Sequence, residues 1–397
     1  MDLQYDASYE KFRQQVREFL AENWNAAQAK RADRVEAERA FRRRSIAAGY
    51  MHRGVPRRYG GSEQAPDVAQ AQIIREEFIR ARAPSEAAVT INGPRMVVPT
   101  LLQWGTEEQK QQFIPPTLEG TYIWAQGYSE PGAGSDLAAV KTRGELVNGE
   151  WIINGQKVWS TLAHKCNHLF ALVRTEPNAP KHEGISYLLI DMRQPGVRVR
   201  PLRQITGSSE FSEIFLEDVR TPADWIVGGR GKGWMVSRTT LKHERATIGA
   251  GDVIGLLDKL VALARSTRLN GRPAIESPTI QRRLVALEGY VRSLAYSGYR
   301  EFSMNSEGKD AGVISLMTKL VQTNINHEVA AIARDLLGDA FMLEPISDEA
   351  RVSGIEKWNN LFMGSIALGI GGGTSNIQRN IIAERGLGLP RDVTAKG

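Results

Sequence analysis

The sequence predicts an α+β chain of three domains: N-terminal helices, a small antiparallel β domain, and a C-terminal bundle of the four-helix kind. Three observations carry this expectation. Apolar residues recur at helical spacing up to about residue 122, strand-length apolar runs replace them from 123 to 230, and the helical period returns from 231 to 397. At 397 residues the chain is too long for one small core, so the expected domains are 1–122, 123–230 and 231–397.

In the first domain "YEKFRQQVREFL" sets Phe12, Val16, Phe19 and Leu20 on one helical face, and "PDVAQAQIIREEFIRARA" (66–83) repeats the pattern after the breaker-rich "RRYGGSEQAP". "TEEQKQQFIPPTLEG" (106–120) opens on a threonine cap and acids, and is expected to stop at Pro115-Pro116. In the second domain "GEWIINGQKVWST" (149–161) has two apolar runs around Asn154-Gly155, a hairpin signal. "HLFALVRT" (168–175), "GISYLLIDM" (184–192), "GVRVRPL" (196–202) and "SEIFLEDVR" (212–220) follow without intervening helices, as in an antiparallel barrel or sandwich. In the third domain 234–266 reads as one long helix, with 279–302 and 313–338 as two more. No repeat or low-complexity tract interrupts this order.

Composition excludes several function classes. No apolar run reaches the roughly 20 residues of a bilayer span, and the acidic N-terminus does not read as a signal peptide, so a cytoplasmic protein with no membrane insertion is expected. The lone cysteine, Cys166, rules out an internal disulfide framework, and the six histidines show no metal-ligand spacing, so no metal is expected. A net charge of +6 is compatible with a phosphorylated cofactor or coenzyme A. The densest basic clusters, "FRRRS" (41–45) and "VPRRYGG" (55–61), lack interleaved stacking aromatics, which points to solvated surface and not to nucleic acid.

Four stretches could carry chemistry, each with a bland alternative. "YSEPGAGSDLAAVKT" (128–142) exposes backbone N–H groups beside Ser129 and Ser135, or is a tight turn closed by Asp136. Trp159 and Thr161 could stack on and hydrogen-bond a planar heterocycle, or Trp159 is core packing. "LGIGGGTSNIQRNIIAERG" (368–386) is nearly bare backbone ahead of a helix, either a structural loop or a surface for a flat or anionic ligand. In "LKHERATIGAG" (241–251), Glu244 is either a surface charge beside Arg245 or a desolvated carboxylate with the raised pKa of a general base. No G-x-S-x-G elbow or P-loop is present.

Taken in order, "SEPGAGSD", "INGQKVWST", "PADWIVG…GKGW", "LKHER" and "GGTSNIQRNIIAERGLGLP" resemble the acyl-CoA dehydrogenase family over about residues 8–391. The resemblance implies helical, β-barrel and bundle domains with FAD between barrel and bundle and a second subunit over its adenine end. It implies that Gln126, Tyr128, Ser129 and Ser135 lie near the flavin, Ser135 also near the thioester, with Trp159 and Thr161 flanking the isoalloxazine. Thr374 and Asn376 would contact the FAD phosphates or ribityl chain, Arg268 would reach the diphosphate, and Gly373 and Arg245 would lie at the substrate.

One departure sets the branch. Most members of the family carry the catalytic acid in the glycine loop as "YEGT", where this chain reads "GGGT" with Gly372. "LKHER" instead supplies Glu244 where the isovaleryl-CoA and long-chain branch carries its acid on a bundle helix. The resemblance therefore implies α,β-dehydrogenation of an acyl-CoA to a trans-2-enoyl-CoA with Glu244 as base. The bare loop leaves room for a bulky or branched acyl group, as in bacterial steroid side-chain members. Electron-transferring flavoprotein as acceptor and a homotetramer or a heterotetramer with a related subunit are also implied. Rival readings are a non-catalytic partner subunit, a DNA-associated flavoprotein and a flavin monooxygenase on the same fold.

Overall fold

The computed structural model describes residues 6–25, 33–84, 86–87, 89–248, 253–306, 309, 311–342 and 355–390. They form two compact units. One takes in the described residues up to Leu202 together with Glu210–His243; the other takes Arg203–Ser209 and the described residues from Glu244 onward.

The first unit opens with helices α1 (Ala7–Asn23), α2 (Arg34–Ala47) and α3 (Val68–Arg80). Asp6 caps α1 by accepting from the Ser8 and Tyr9 amides. The predicted apolar face of α1 buries Val16 and Leu20 against Phe41, Ile73 and Phe78. Beside this core Arg13 and Arg17 both pair with Glu77, a carboxylate only 3% exposed, across the α1–α3 packing. A π-turn at Gly93–Val97 leads into α4 (Val98–Trp104).

Helix α5 (Glu107–Glu119) starts at Thr106 in a reciprocal capping box with Gln109. It does not stop at Pro115-Pro116 as the sequence predicts; it runs through both and ends at Gly120, φ +79°. Proline inside a helix costs about 3 kcal/mol. Here full burial of Phe113 and Ile114 and near-complete burial of Leu118 outweigh that cost.

The β region is an eight-stranded, mainly antiparallel sheet among the described residues. Its strands are β1 (Trp124–Gly127), β2 (Arg143–Val147), β3 (Glu150–Thr161), β4 (His168–Arg174), β5 (Ile185–Asp191), β6 (Val197–Leu202), β7 (Phe211–Pro222) and β8 (Ile226–Val227). The order runs β6-β7-β3-β2-β4-β5-β8, with β1 beside β4. Two pairings are parallel: β1 with the first half of β4, and Arg143 of β2 with Arg174 at the end of β4. Phe170, Leu172, Tyr187 and Leu189 face one apolar core shared with α4 and α5, while Leu169, Ala171, Leu188 and Ile190 face another. The central strands β4 and β5 are thus apolar on both faces.

The hairpin between β2 and β3 turns at Asn148-Gly149, with Val147 opposite Glu150 and φ of +52° and +83° at the turn. It does not turn at Asn154-Gly155, which the sequence analysis favoured. That dipeptide lies inside β3, where the register with β7 slips between Ile153 and Gly155. Asn154 exchanges two 2.9 Å hydrogen bonds with Asp218, and a Cβ on Gly155 would meet Thr142 Oγ1 at 2.5 Å. The glycine is there for close approach.

Helix α6 (Gly233–Ile248) follows, and the second unit adds α7 (Val253–Ser266), α8 (Pro278–Ser306), α9 (Val313–Leu337), α10 (Ile355–Leu368) and the short α11 (Ser375–Ile381). The sequence reads 234–266 as one helix; the structure has α6 and α7, and residues 249–252 lie outside the described set. A small hairpin, β9 (Arg268–Leu269) with β10 (Arg272–Pro273), turns at Asn270-Gly271. Leu257, Leu260, Leu284, Leu287, Ile325, Val329 and Ile332 pack together as the core of this unit. No described helix is long and apolar enough to cross a membrane.

Candidate active site

In the first unit Gln126 and Ser129 are tied to the end of β3 that carries Trp159 and Thr161. Gln126 lies half-buried on β1, and its carbonyl accepts the Ser160 hydroxyl at 2.7 Å. Ser129 is half-buried, and its carbonyl accepts the Val158 amide at 2.9 Å. These two bonds lay residues 126–129 against residues 158–160. Glu130 and Ala133 then close a hairpin around Pro131-Gly132 through bonds of 2.9 and 3.0 Å, leaving Ser135 exposed. Tyr128 lies elsewhere: its ring is 3% exposed and packs edge-on to Phe170 and Tyr187 at 5.7 and 6.3 Å, inside the core.

Trp159 is 61% exposed with φ +62°, at a second register slip between Lys157 and Ser160. A β-strand tryptophan in the left-handed region is an unfavourable conformation. Its one ring neighbour among the described aromatic pairs is Phe211, edge-on at 6.0 Å, and Thr161, half-buried, pairs with the same residue on β7. The indole is therefore held at the surface as a flat apolar platform and is not core packing.

Two residues before Trp159 on β3 lies a feature the sequence analysis missed. Lys157 is fully buried and donates from Nζ to Glu130 Oε1 at 2.8 Å, to the Leu172 carbonyl at 2.7 Å and to the Tyr128 carbonyl at 3.4 Å. Glu130, 8% exposed, also accepts the Lys141 and Thr142 amides at 2.7 and 2.9 Å. Burial pulls the Lys157 pKa down to about 8 against the opposing pull of Glu130. For Glu130 burial pushes upward, but the ammonium and the amide donors hold the carboxyl below its ordinary range. A signal was available: lysine at an inward strand position requires a buried partner.

In the second unit Glu244 is half-buried on α6, four residues after Thr240. Val236, Ser237 and Thr240, earlier on that helix and part of the first unit, are fully buried. Arg245 shares the helix, and its side chain lies outside the described residues.

The glycine loop takes shape through its backbone. Gly372 and Gly373 have φ of +65° and +90°. Lys319, a buried α9 lysine, donates to the Leu368 and Gly373 carbonyls, each at 2.8 Å, and burial lowers its pKa. Gln378 donates to the Gly372 carbonyl at 3.2 Å. Thr374 caps α11 by accepting the Ile377 amide at 3.2 Å, and Asn376 is exposed and accepts from Arg379. Arg268 is exposed on β9 and donates to the Gly271 carbonyl of its own turn at 2.9 Å. Among the described residues no cluster of histidine, cysteine or carboxylates is arranged to hold a metal ion.

A helical segment, an antiparallel-rich sheet and a helical bundle, with these motifs on them, define a protein class. Residues 6–121, 125–219 and 231–387 match the N-terminal, middle and C-terminal domains of acyl-CoA dehydrogenase. The chain belongs to the acyl-CoA dehydrogenase family of flavoprotein oxidoreductases. Among individual proteins it is similar to the acyl-CoA dehydrogenase IpdE1 of Mycobacterium tuberculosis, 40% identical over 98% of this chain and 99% of that one. It is 32% identical to acyl-CoA dehydrogenase FadE29 of the same organism over 89% of each. Two similar solved structures are the Tcur3481-Tcur3483 steroid acyl-CoA dehydrogenase (TM-score 0.77, 29% identity, 99% of this chain and 100% of that one) and the ChsE4-ChsE5 complex from Mycobacterium tuberculosis (0.76, 27%, 99% and 100%).

Proposed function

We propose that this chain is an FAD-dependent acyl-CoA dehydrogenase that converts a bulky or branched acyl-CoA to its trans-2-enoyl-CoA, with Glu244 as the general base. The complementary pair of Glu244 and Gly372 carries the reading. Gly372 sits where most of the family bears its acid, and its φ of +65° disfavours any side chain there. Glu244 offers the alternative carboxylate, half-buried on α6.

The residues fit a flavin. Trp159 presents a flat, strained, exposed ring, as stacking on a planar heterocycle requires, with Thr161, Ser129 and Gln126 beside it. Ser135 serves the flavin edge and the thioester end, Thr374, Asn376 and Arg268 serve the ribityl and diphosphate, and Tyr128 supports them from the core. When bound, FAD supplies the two-electron acceptor for the β C–H bond. The Glu244 carboxylate takes the α proton and becomes neutral, and it must be ionised before each turnover. Arg245 orients the substrate end. The bare backbone at Gly373 lets the acyl thioester approach closely.

Electron-transferring flavoprotein is the proposed acceptor and the cytoplasm the proposed compartment. For assembly we propose a tetramer, of this chain alone or with a related subunit. The paired chains named in the two steroid and ChsE structures favour the second form. They also favour a second reading, in which this chain acts only beside a related partner. The test is an anaerobic titration of the purified yellow protein with straight-chain, branched and polycyclic acyl-CoAs. Bleaching of the flavin by a bulky acyl-CoA is expected. Bleaching by none, alone or with a partner subunit, would sink the dehydrogenase assignment.

A further inference from the structure

We infer that Lys157, held by Glu130, is a positioning residue that locks the 129–135 loop onto β3 where the sheet ladder is open. The inference rests on the flavin reading above and concerns how this chain builds the surface that receives the cofactor.

The opening follows from the topology. On one edge of β4, β1 pairs as far as Gly127 opposite Ala171, and β2 rejoins only at Arg143 opposite Arg174. The chain between them, 128–142, leaves the sheet as the loop that carries Ser129 and Ser135. Leu172, within the gap, has no strand partner on that edge. A buried carbonyl left without a donor is costly, and Lys157 Nζ supplies the donor at 2.7 Å. The same ammonium takes the Tyr128 carbonyl at the start of the loop and the Glu130 carboxylate inside it.

Glu130 in turn accepts the Lys141 and Thr142 amides at the end of the loop. One buried ion pair thus ties both ends of the 128–142 excursion to the strand that carries Trp159 two residues later. It acts beside the bond from the Val158 amide to the Ser129 carbonyl and the Arg174 bonds to the Ala138 and Val140 carbonyls, and is the fully buried part of that fastening. Glu130 acts on both Lys157 and Arg174, and Lys157 is the buried cation that holds the Glu130 carboxyl below its ordinary range.

The experiment uses full-length protein stripped of flavin, as wild type, Lys157→Met, Glu130→Gln and Glu77→Gln. The last removes the charge of a buried carboxylate paired with Arg13 and Arg17 in the same unit, between α1 and α3, and is the control for loss of fold stability. Amide hydrogen exchange over residues 129–135 and FAD affinity by fluorescence titration are measured below each variant's melting temperature. Lys157→Met should speed exchange in the loop and weaken FAD binding, each at least tenfold, while Glu77→Gln changes neither. Glu130→Gln should move both in the same direction, and it carries the test if Lys157→Met does not fold. Wild-type uptake of FAD with variants that bind it equally well overturns this inference alone, whatever the exchange shows. Wild-type protein that takes up no FAD overturns the flavin reading and the inference together. Equal effects in Glu77→Gln would reduce the pair to general stability and also overturn it.

Discussion

Replacing Trp159 by alanine and by glycine separates its two proposed roles, platform and strain. The indole is 61% exposed, so about two-fifths of it is covered, roughly 80 Å². At about 25 cal/mol per Å², losing those contacts removes about 2 kcal/mol in either variant. The backbone then decides between them. At φ +62°, alanine keeps a left-handed cost of about 1–2 kcal/mol that glycine escapes. Glycine gives back about 0.5–1 kcal/mol through the freedom of its unfolded chain. The flavin-free glycine variant should therefore be the more stable of the two by roughly 0.5–1 kcal/mol, the reverse of the order in an ordinary strand.

FAD affinity should fall alike in both variants, because both lose the ring. Stacking on an aromatic side chain is worth about 1–3 kcal/mol, or a five- to 150-fold rise in Kd. Urea unfolding of the flavin-free proteins reads the first quantity, and quenching of FAD fluorescence on titration reads the second. An alanine variant more stable than the glycine variant would refute the strain argument. Unchanged FAD affinity in both would refute the platform.

Three further outcomes follow from the same structure. Glu244→Gln should slow flavin reduction by acyl-CoA by roughly a hundred- to ten-thousand-fold with FAD content unchanged; single-turnover reduction at the wild-type rate would remove Glu244 from the mechanism. The double change Glu244→Gly with Gly372→Glu should restore part of that rate and shift preference toward straight chains, at a stability cost of about 1–2 kcal/mol because position 372 has φ +65°; a double variant no faster than Glu244→Gly would count against the exchange of positions. His168 is 1% exposed, and burial pulls its pKa from 6.5 to about 4. The unfolded chain binds its proton first, so the stability of the neutral ring is complete above pH 6.5 and drains away as pH falls toward 4, by about 3 kcal/mol. His168→Gln should flatten the stability–pH curve across that window, and an unaltered slope would contradict the argument.

The sequence by itself determined whatever depends on near neighbours. Phe12, Val16 and Leu20 share a helical face because 3.6 residues make a turn, and "HLFALVRT" reads as a buried strand from its length and composition alone. The motif order from "SEPGAGSD" to "GTSNIQR" was enough to name the family, and the proposed exchange of acid between 372 and 244 was read from the letters. Tertiary structure decided whatever depends on partners distant in the chain. Two Asn-Gly dipeptides six residues apart offer the same local turn, and pairing with β7 and the approach of Thr142 choose the first. Pro115-Pro116 is a stop signal locally, yet the burial of Phe113, Ile114 and Leu118 carries the helix through it. The role of Lys157 emerges only when β1 and β2 are seen to leave β4 uncovered at Leu172, because a gap in a ladder exists only once strands have been paired.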